Sequence, residues 1–244
     1  MRTLAALFLT LVAQTSVIVA DTCVRIENHA DEYYYMGQTH PAVNRIDEIW
    51  FGNGKFAYVT EAQKIVIDLS DSSLVFMVLR DSTYARGRLP FDWKDLVSEQ
   101  TSSILQMYRR RGEVRETAET KTIGGWPSRA YRISSWIDLE DGRYSEREET
   151  AWMSKDIPID WDLFRRVHRD LLALSNYDDE LMTELLNIEG FSAATETKTY
   201  IQGFSVNSSE RVVGVDRKAA PPGFYSIPSG FTKKNELTLD DLGG

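Results

Sequence analysis

Residues 44–79 read NRIDEIWF-GNG-KFAYV-T-EAQ-KIVIDL-S-DSS-LVFMVL, and this stretch decides the fold. Side chains alternate between faces along each run. Ile46, Glu48 and Trp50 oppose Ile49 and Phe51, Phe56 and Tyr58 oppose Ala57 and Val59, and Ile65, Ile67 and Leu69 oppose Val66 and Asp68. A period of two is the pattern of a strand with two distinct faces. Gly52-Asn53-Gly54, Glu61-Ala62-Gln63 and Asp71-Ser72-Ser73 punctuate the runs as turns, so the segment predicts an antiparallel meander. The last run, Leu74 to Leu79, is apolar on both faces and predicts a strand covered on both sides.

The period then changes. Trp93, Leu96, Val97, Ile104, Leu105 and Tyr108 recur at helical spacing behind an Asp92 N-cap, with Arg109-Arg110-Arg111 at the far end and Gly112 as the stop. This predicts a helix over 92–111. Glu113 to Ile123 is a mostly polar strand near an edge. Ala130 to Leu139 and Tyr144 to Met153 form a hairpin around Asp141-Gly142. The run Glu146-Arg147-Glu148-Glu149 reads as a charged strand that resists edge pairing. Asp160 caps a second helix with the stripe Leu163, Phe164, Val167, Leu171 and Leu174, and a third carries Leu181, Leu185 and Ile188 to Gly190. Strands follow at Phe191 to Ile201, Phe204 to Val215 and Phe224 to Phe231, with a loose tail after Lys234. The fold class is α+β in a single domain over 21–244.

The chain has 244 residues, with 28 basic against 37 acidic side chains and a net charge of −9. That balance argues against a nucleic-acid partner, since such proteins neutralise phosphates over a basic surface. Residues 1–20 read as a signal peptide. Arg2 supplies the positive start, Leu4 to Ala13 the apolar stretch, and Ile18-Val19-Ala20 the cleavage site before Asp21. The apolar stretch is too short for a span of ~20 residues, and no later one approaches it, so no integral membrane span remains after cleavage. The expected location is periplasmic or secreted. Cys23, the only cysteine, reads as an incidental thiol near a mobile terminus, with a lipid anchor or intermolecular bridge as the alternatives.

No cofactor or metal motif is present. His29, His40 and His168 lack ligand spacing, and His168 sits beside the stripe of the second helix. No Gly-x-Ser-x-Gly elbow or phosphate-binding loop occurs, so no catalytic residue is assigned and the chain reads as a non-enzyme. Aromatic residues are abundant in sheet and helix alike. They fill a β core, or some line an apolar cavity.

Two clusters carry a family resemblance. One runs from Tyr35-Met36-Gly37-Gln38-Thr39 through Pro41-Ala42-Val43 into Ile49 to Lys55 and Ile65 to Asp68. The other is Thr83-Tyr84 with Leu89-Pro90-Phe91-Asp92, echoed by Ile188 to Phe191 and Gly223 to Pro228. The chain resembles a family of exported bacterial proteins of unknown function related to the periplasmic lipoprotein-carrier superfamily. The resemblance implies a strongly curved antiparallel sheet, an incomplete β-barrel, with helices packed on or over its concave face. It also implies an acyl, lipid-like or acylated-protein occupant. The residues expected around it are Trp50, Phe76, Trp93, Val97, Ile104, Tyr108, Tyr131, Ile133 and Phe164. The alternative is an envelope protein-interaction or sensor module with a filled core. The two differ in whether the helix stripes fill the hollow or leave it empty.

Overall fold

The computed structural model describes residues 20–35, 37–140, 142–201 and 203–242. The expected signal peptide, apart from Ala20, lies outside them, as does Asp141 of the predicted hairpin turn. The first strands are β1 (Asp21–Ala30), a short ribbon of β2 (Tyr33–Tyr35) and β3 (Gln38–His40), and then β4 (Val43–Phe51), β5 (Lys55–Val59), β6 (Gln63–Asp68), β7 (Ser73–Val78) and β8 (Thr83–Arg88). After α1 (Glu99–Met107) come β9 (Arg111–Ile123), β10 (Trp126–Leu139) and β11 (Gly142–Ser154). Then follow α2 (Trp161–Leu174), α3 (Asp179–Leu186), β12 (Phe191–Ile201), β13 (Phe204–Lys218) and β14 (Thr232–Lys233).

Twelve strands form one open sheet in the order β14-β8-β7-β6-β5-β4-β1-β13-β12-β11-β10-β9. All neighbours are antiparallel except β14 with β8. The class is therefore α+β, with a large sheet that does not close into a barrel. The meander read from residues 44–79 is present in register: Phe51 faces Phe56, Phe56 faces Ile67, and Ile67 faces Leu74. β7 is buried at every position. Leu74, Phe76 and Val78 enter one apolar cluster, while Val75 and Met77 enter another.

Several expectations are corrected. The helix over 92–111 is two pieces. Asp92 caps a 3-10 turn at Trp93–Asp95 by accepting from Lys94 N–H at 3.0 Å. Leu96 and Val97 then leave the helical path and enter the core, and Ser98 starts α1 by accepting from Thr101 N–H at 3.1 Å. Burial of two apolar side chains, each worth ~1.5–3 kcal/mol, outweighs the helical bonds forgone. Arg111 opens β9, so Gly112 is no helix stop. A Cβ there would lie 2.5 Å from the Ser134 carbonyl oxygen, which only glycine avoids. The third helix ends at Leu186, and Gly190 belongs to the following loop.

Residues 224–231 form turns rather than a strand. Phe224 N–H bonds Pro221 O at 3.0 Å and Ser226 N–H bonds Gly223 O at 2.9 Å. The tail is packed rather than loose. Leu237 is 1% exposed, its N–H bonds Leu96 O at 2.7 Å, and Lys234 pairs with buried Asp241 at 2.7 Å. Cys23 lies inside β1 with no exposure, between Trp50 of β4 and Asp216 of β13, which is incompatible with a surface thiol.

Three apolar clusters hold the chain together. The first joins Phe51, Phe56, Ile67, Leu74 and Phe76 of β4 to β7 with Leu163, Phe164 and Val167 of α2. Asp160 fixes the start of α2 by accepting from Leu163 N–H at 2.9 Å. The second lies on the other face of the meander, where Trp50, Ala57, Val66 and Met77 are covered by Phe224, Tyr225, Ile227 and Phe231. The third packs Leu181 and Leu185 of α3 on Ile133 and Ala151.

Candidate functional site

A belt of charged side chains crosses the sheet between the first and third clusters. Register puts its members on one face: Arg45 opposite Asn28, Asn28 opposite Glu210, Glu210 opposite Thr195, Thr197 opposite Glu149, and Thr199 opposite Arg147. Alternation along each strand adds Asp47 and Tyr58 to the same face. Asp47 has no exposure. Its carboxylate accepts from Tyr58 Oη at 2.8 Å and Asn28 Nδ2 at 3.1 Å, and pairs with Arg45 Nε at 3.2 Å. Burial, followed by the hydrogen bond to Asp47, pushes the Tyr58 phenol well above its ordinary value.

A strap closes the belt from the helix side. It consists of residues 108–110 and the 175–178 link between α2 and α3. Arg110 N–H bonds Asn176 O at 3.0 Å, Asp178 N–H bonds Arg110 O at 2.9 Å, and Arg109 donates to Tyr177 O at 2.8 Å. Asn176 adopts a φ of +56°, which asparagine tolerates, and its amide donates to Leu105 O at 2.8 Å. Arg110 and Tyr177 are the strap residues electrostatically coupled to the belt.

Arg147 pairs with Glu149, and Thr197 Oγ1 donates to the same carboxylate at 3.5 Å. Arg110 reaches Ser145 Oγ at 3.4 Å. Among the described residues, Arg110 Nη1 and Arg147 Nε are buried without a hydrogen-bond acceptor. A buried donor of this kind costs ~1–3 kcal/mol, and more on a charged group. Burial, then the charge of Arg147, lowers the Arg110 pKa. Burial also opposes the charge on Arg147, but Glu149, Tyr177 and Glu210 outweigh it and raise that pKa. Glu210 reaches solvent yet is crowded by protein. That crowding is the main cause of its raised pKa, and Arg147 pulls against it.

Four of the residues expected around an apolar ligand gather at one cluster, and the others lie elsewhere. Phe76, Val97 and Phe164 lie in the first cluster at 3%, 4% and 9% exposure, with Trp93 packed at its margin against Phe91. Trp50 belongs to the second cluster on the opposite face and is tilted against Phe224 at 4.8 Å. Ile133 belongs to the third cluster. Ile104 is half-buried, and Tyr108 is exposed with its ring edge-on to Tyr144. Tyr131 lines a surface depression of about 700 Å³ together with Glu116, Lys121, Arg129 and Lys155. A second depression, of about 610 Å³, is lined by Glu113, Arg115, Arg132, Glu148, Glu196 and Lys198 among others. A third, of about 430 Å³, lies between α1, α2 and α3 and includes Phe91, Trp93, Leu105, Lys94, Arg169 and Asp170.

Sequence reasoning missed the belt. The run Glu146 to Glu149 reads as a protected edge, but β11 is interior, between β10 and β12. Alternation was the usable signal, since it puts Ser145, Arg147 and Glu149 on one face and Glu146 and Glu148 on the other. His168 is half-buried and stacked on Phe164 with centroids 4.7 Å apart, as a helix-flank histidine. Among the described residues, no group of three or more His, Cys, Asp or Glu side chains is placed to hold a metal ion, and no helix is long and apolar enough to cross a membrane. No protein-family model matches the chain, and no curated protein matches it.

Proposed function

We propose that the chain is an exported, non-enzymatic protein of the lipoprotein-carrier type that acts as an envelope interaction or sensor module with a filled core. In this reading the twelve-strand sheet curls into an incomplete barrel, with α2 and α3 over its concave side. One observation carries the proposal. Phe76, Val97 and Phe164, three of the side chains expected around an apolar ligand, belong to one apolar cluster at no more than 9% exposure. Charged side chains around the 610 and 700 Å³ depressions suit a polar protein surface better than an acyl chain. A photo-crosslinking side chain at Lys198, inside the 610 Å³ depression, tests this in envelope extracts, with Lys233 on β14 as the control position. A defined protein adduct from position 198 alone is expected. Lipid co-purifying with the chain, and no adduct at either position, would overturn the reading.

The 430 Å³ groove favours a second reading, an acyl or lipid-like ligand held at Trp93. Its aromatic side chains Phe91, Trp93 and Tyr177 fit an apolar chain, and its rim holds Lys94, Arg109 and Arg169 beside Asp92, Asp170 and Asp179.

A further inference from the structure

We propose that the 430 Å³ groove between α1, α2 and α3 binds a small organic ammonium ion, with Asp170 as its counter-ion and the rings of Phe91 and Trp93 beside it. Of the charged side chains lining the groove, Asp170 alone is buried, at 7% exposure. Its Oδ1 accepts from Phe91 N–H at 2.7 Å, which ties the segment before the 3-10 turn to α2. Among the described residues no second donor reaches this carboxylate, and no Lys, Arg or His lies within ion-pair distance of it. A carboxylate accepts at about four lone-pair sites, and a buried one is ordinarily paired. A cation entering the groove supplies the missing partner.

The remaining lining suits an organic cation. Phe91 and Trp93 stand edge-on to each other with centroids 5.1 Å apart, and both line the groove. An aromatic face attracts an ammonium group within about 6 Å of the ring centroid. Leu105, Ala173 and Met182 supply apolar walls for the organic part. The other charges are committed or exposed. Asp92 caps the 3-10 turn by accepting from Lys94 N–H at 3.0 Å, and Asp179 pairs with Arg109 at 2.9 Å. Lys94 and Arg169 are exposed, so water screens them, whereas the buried Asp170 is screened less and acts more strongly on a bound charge. The groove lies at the margin of the first cluster, so the site requires no hollow inside the sheet. It does not rest on the acyl reading of the same groove, from which the charge of the head group separates it.

Isothermal titration with hexylammonium, hexanol and hexanoate tests the proposal on the wild type, Asp170→Asn and Trp93→Leu. Saturable binding of hexylammonium is expected, tighter than hexanol or hexanoate by about tenfold or more, the size of a charge-assisted bond. Asp170→Asn keeps an acceptor for Phe91 N–H and should abolish that preference. Trp93→Leu keeps the groove apolar and should weaken hexylammonium by about threefold or more, and hexanol by less. Thermal unfolding of each variant confirms that it is folded, and Trp93→Leu keeps the test decisive if Asp170→Asn is not. No saturable binding of hexylammonium to the wild type, or an unchanged ammonium preference in either folded variant, would overturn the site. Hexanoate binding as tightly as hexylammonium would overturn it as well, in favour of the acyl reading.

Discussion

Truncating Phe164 separates a filled core from a ligand hollow. Its ring sits on α2 with centroids 5.5 Å from Phe191, 5.9 Å from Trp161, 6.4 Å from Phe51 and 4.7 Å from His168. It is 9% exposed and stands among Leu163, Val167 and the meander side chains of the first cluster. Phe164→Ala removes a phenyl ring from a site that its neighbours, held on separate elements, cannot collapse to fill. Core Phe→Ala changes cost about 3–5 kcal/mol. With a urea slope of about 2–3 kcal/mol/M, the midpoint should fall by roughly 1–2.5 M. Urea unfolding followed by far-UV circular dichroism and by Trp fluorescence reads the change, and coincident curves establish one transition. A loss under about 1 kcal/mol would refute the packing argument, because truncation at a solvent-filled hollow creates no new cavity.

Three further outcomes are expected. Leu237→Ala should cost about 2–5 kcal/mol and expose residues 232–242 to proteolysis, whereas a tail without structural weight would leave the unfolding midpoint unchanged. Burial pushes the Cys23 thiol up to about 11, so a thiol reagent at pH 8 should modify it only as fast as the protein unfolds, and rapid stoichiometric labelling of the native protein would contradict its placement. Burial holds the His168 pKa below its ordinary 6.5, so its contribution to stability is present above that pH and is lost as pH falls through the folded value. As pH falls from 7 the wild type should therefore lose more stability than His168→Leu, and parallel curves would exclude the effect.

The meander was legible because alternation and turn residues agree along residues 44–79, and β7 reads correctly because both its faces are apolar. β1 was not legible. Asp21 to Ala30 carries mixed charges, and Cys23 and Val24 are buried in the second and first clusters on opposite faces of the sheet. β8 is similarly polar in sequence, with Arg86 and Arg88 turned outward. The 92–111 segment misled because Leu96 and Val97 fit a helical stripe, while their contacts with the C-terminal segment at Leu237 break the helix. Of the candidate site, the apolar residues were expected around a ligand; Trp50, Phe76, Val97, Ile133 and Phe164 are buried, but their division among three clusters follows from strand order. The belt depends on pairing residues far apart in sequence, such as Asn28 with Glu210 and Thr197 with Glu149. Only the half of the pattern within β11 can be read locally.

The filled interior is tested most directly by native mass spectrometry of protein purified from an envelope fraction without delipidation. The packing of Phe76, Val97 and Phe164 predicts the bare polypeptide mass, with no stoichiometric lipid adduct, under conditions that retain weak complexes. A one-to-one adduct of acyl-chain or phospholipid mass, lost when Trp93→Ala or Phe164→Ala is introduced, would contradict it.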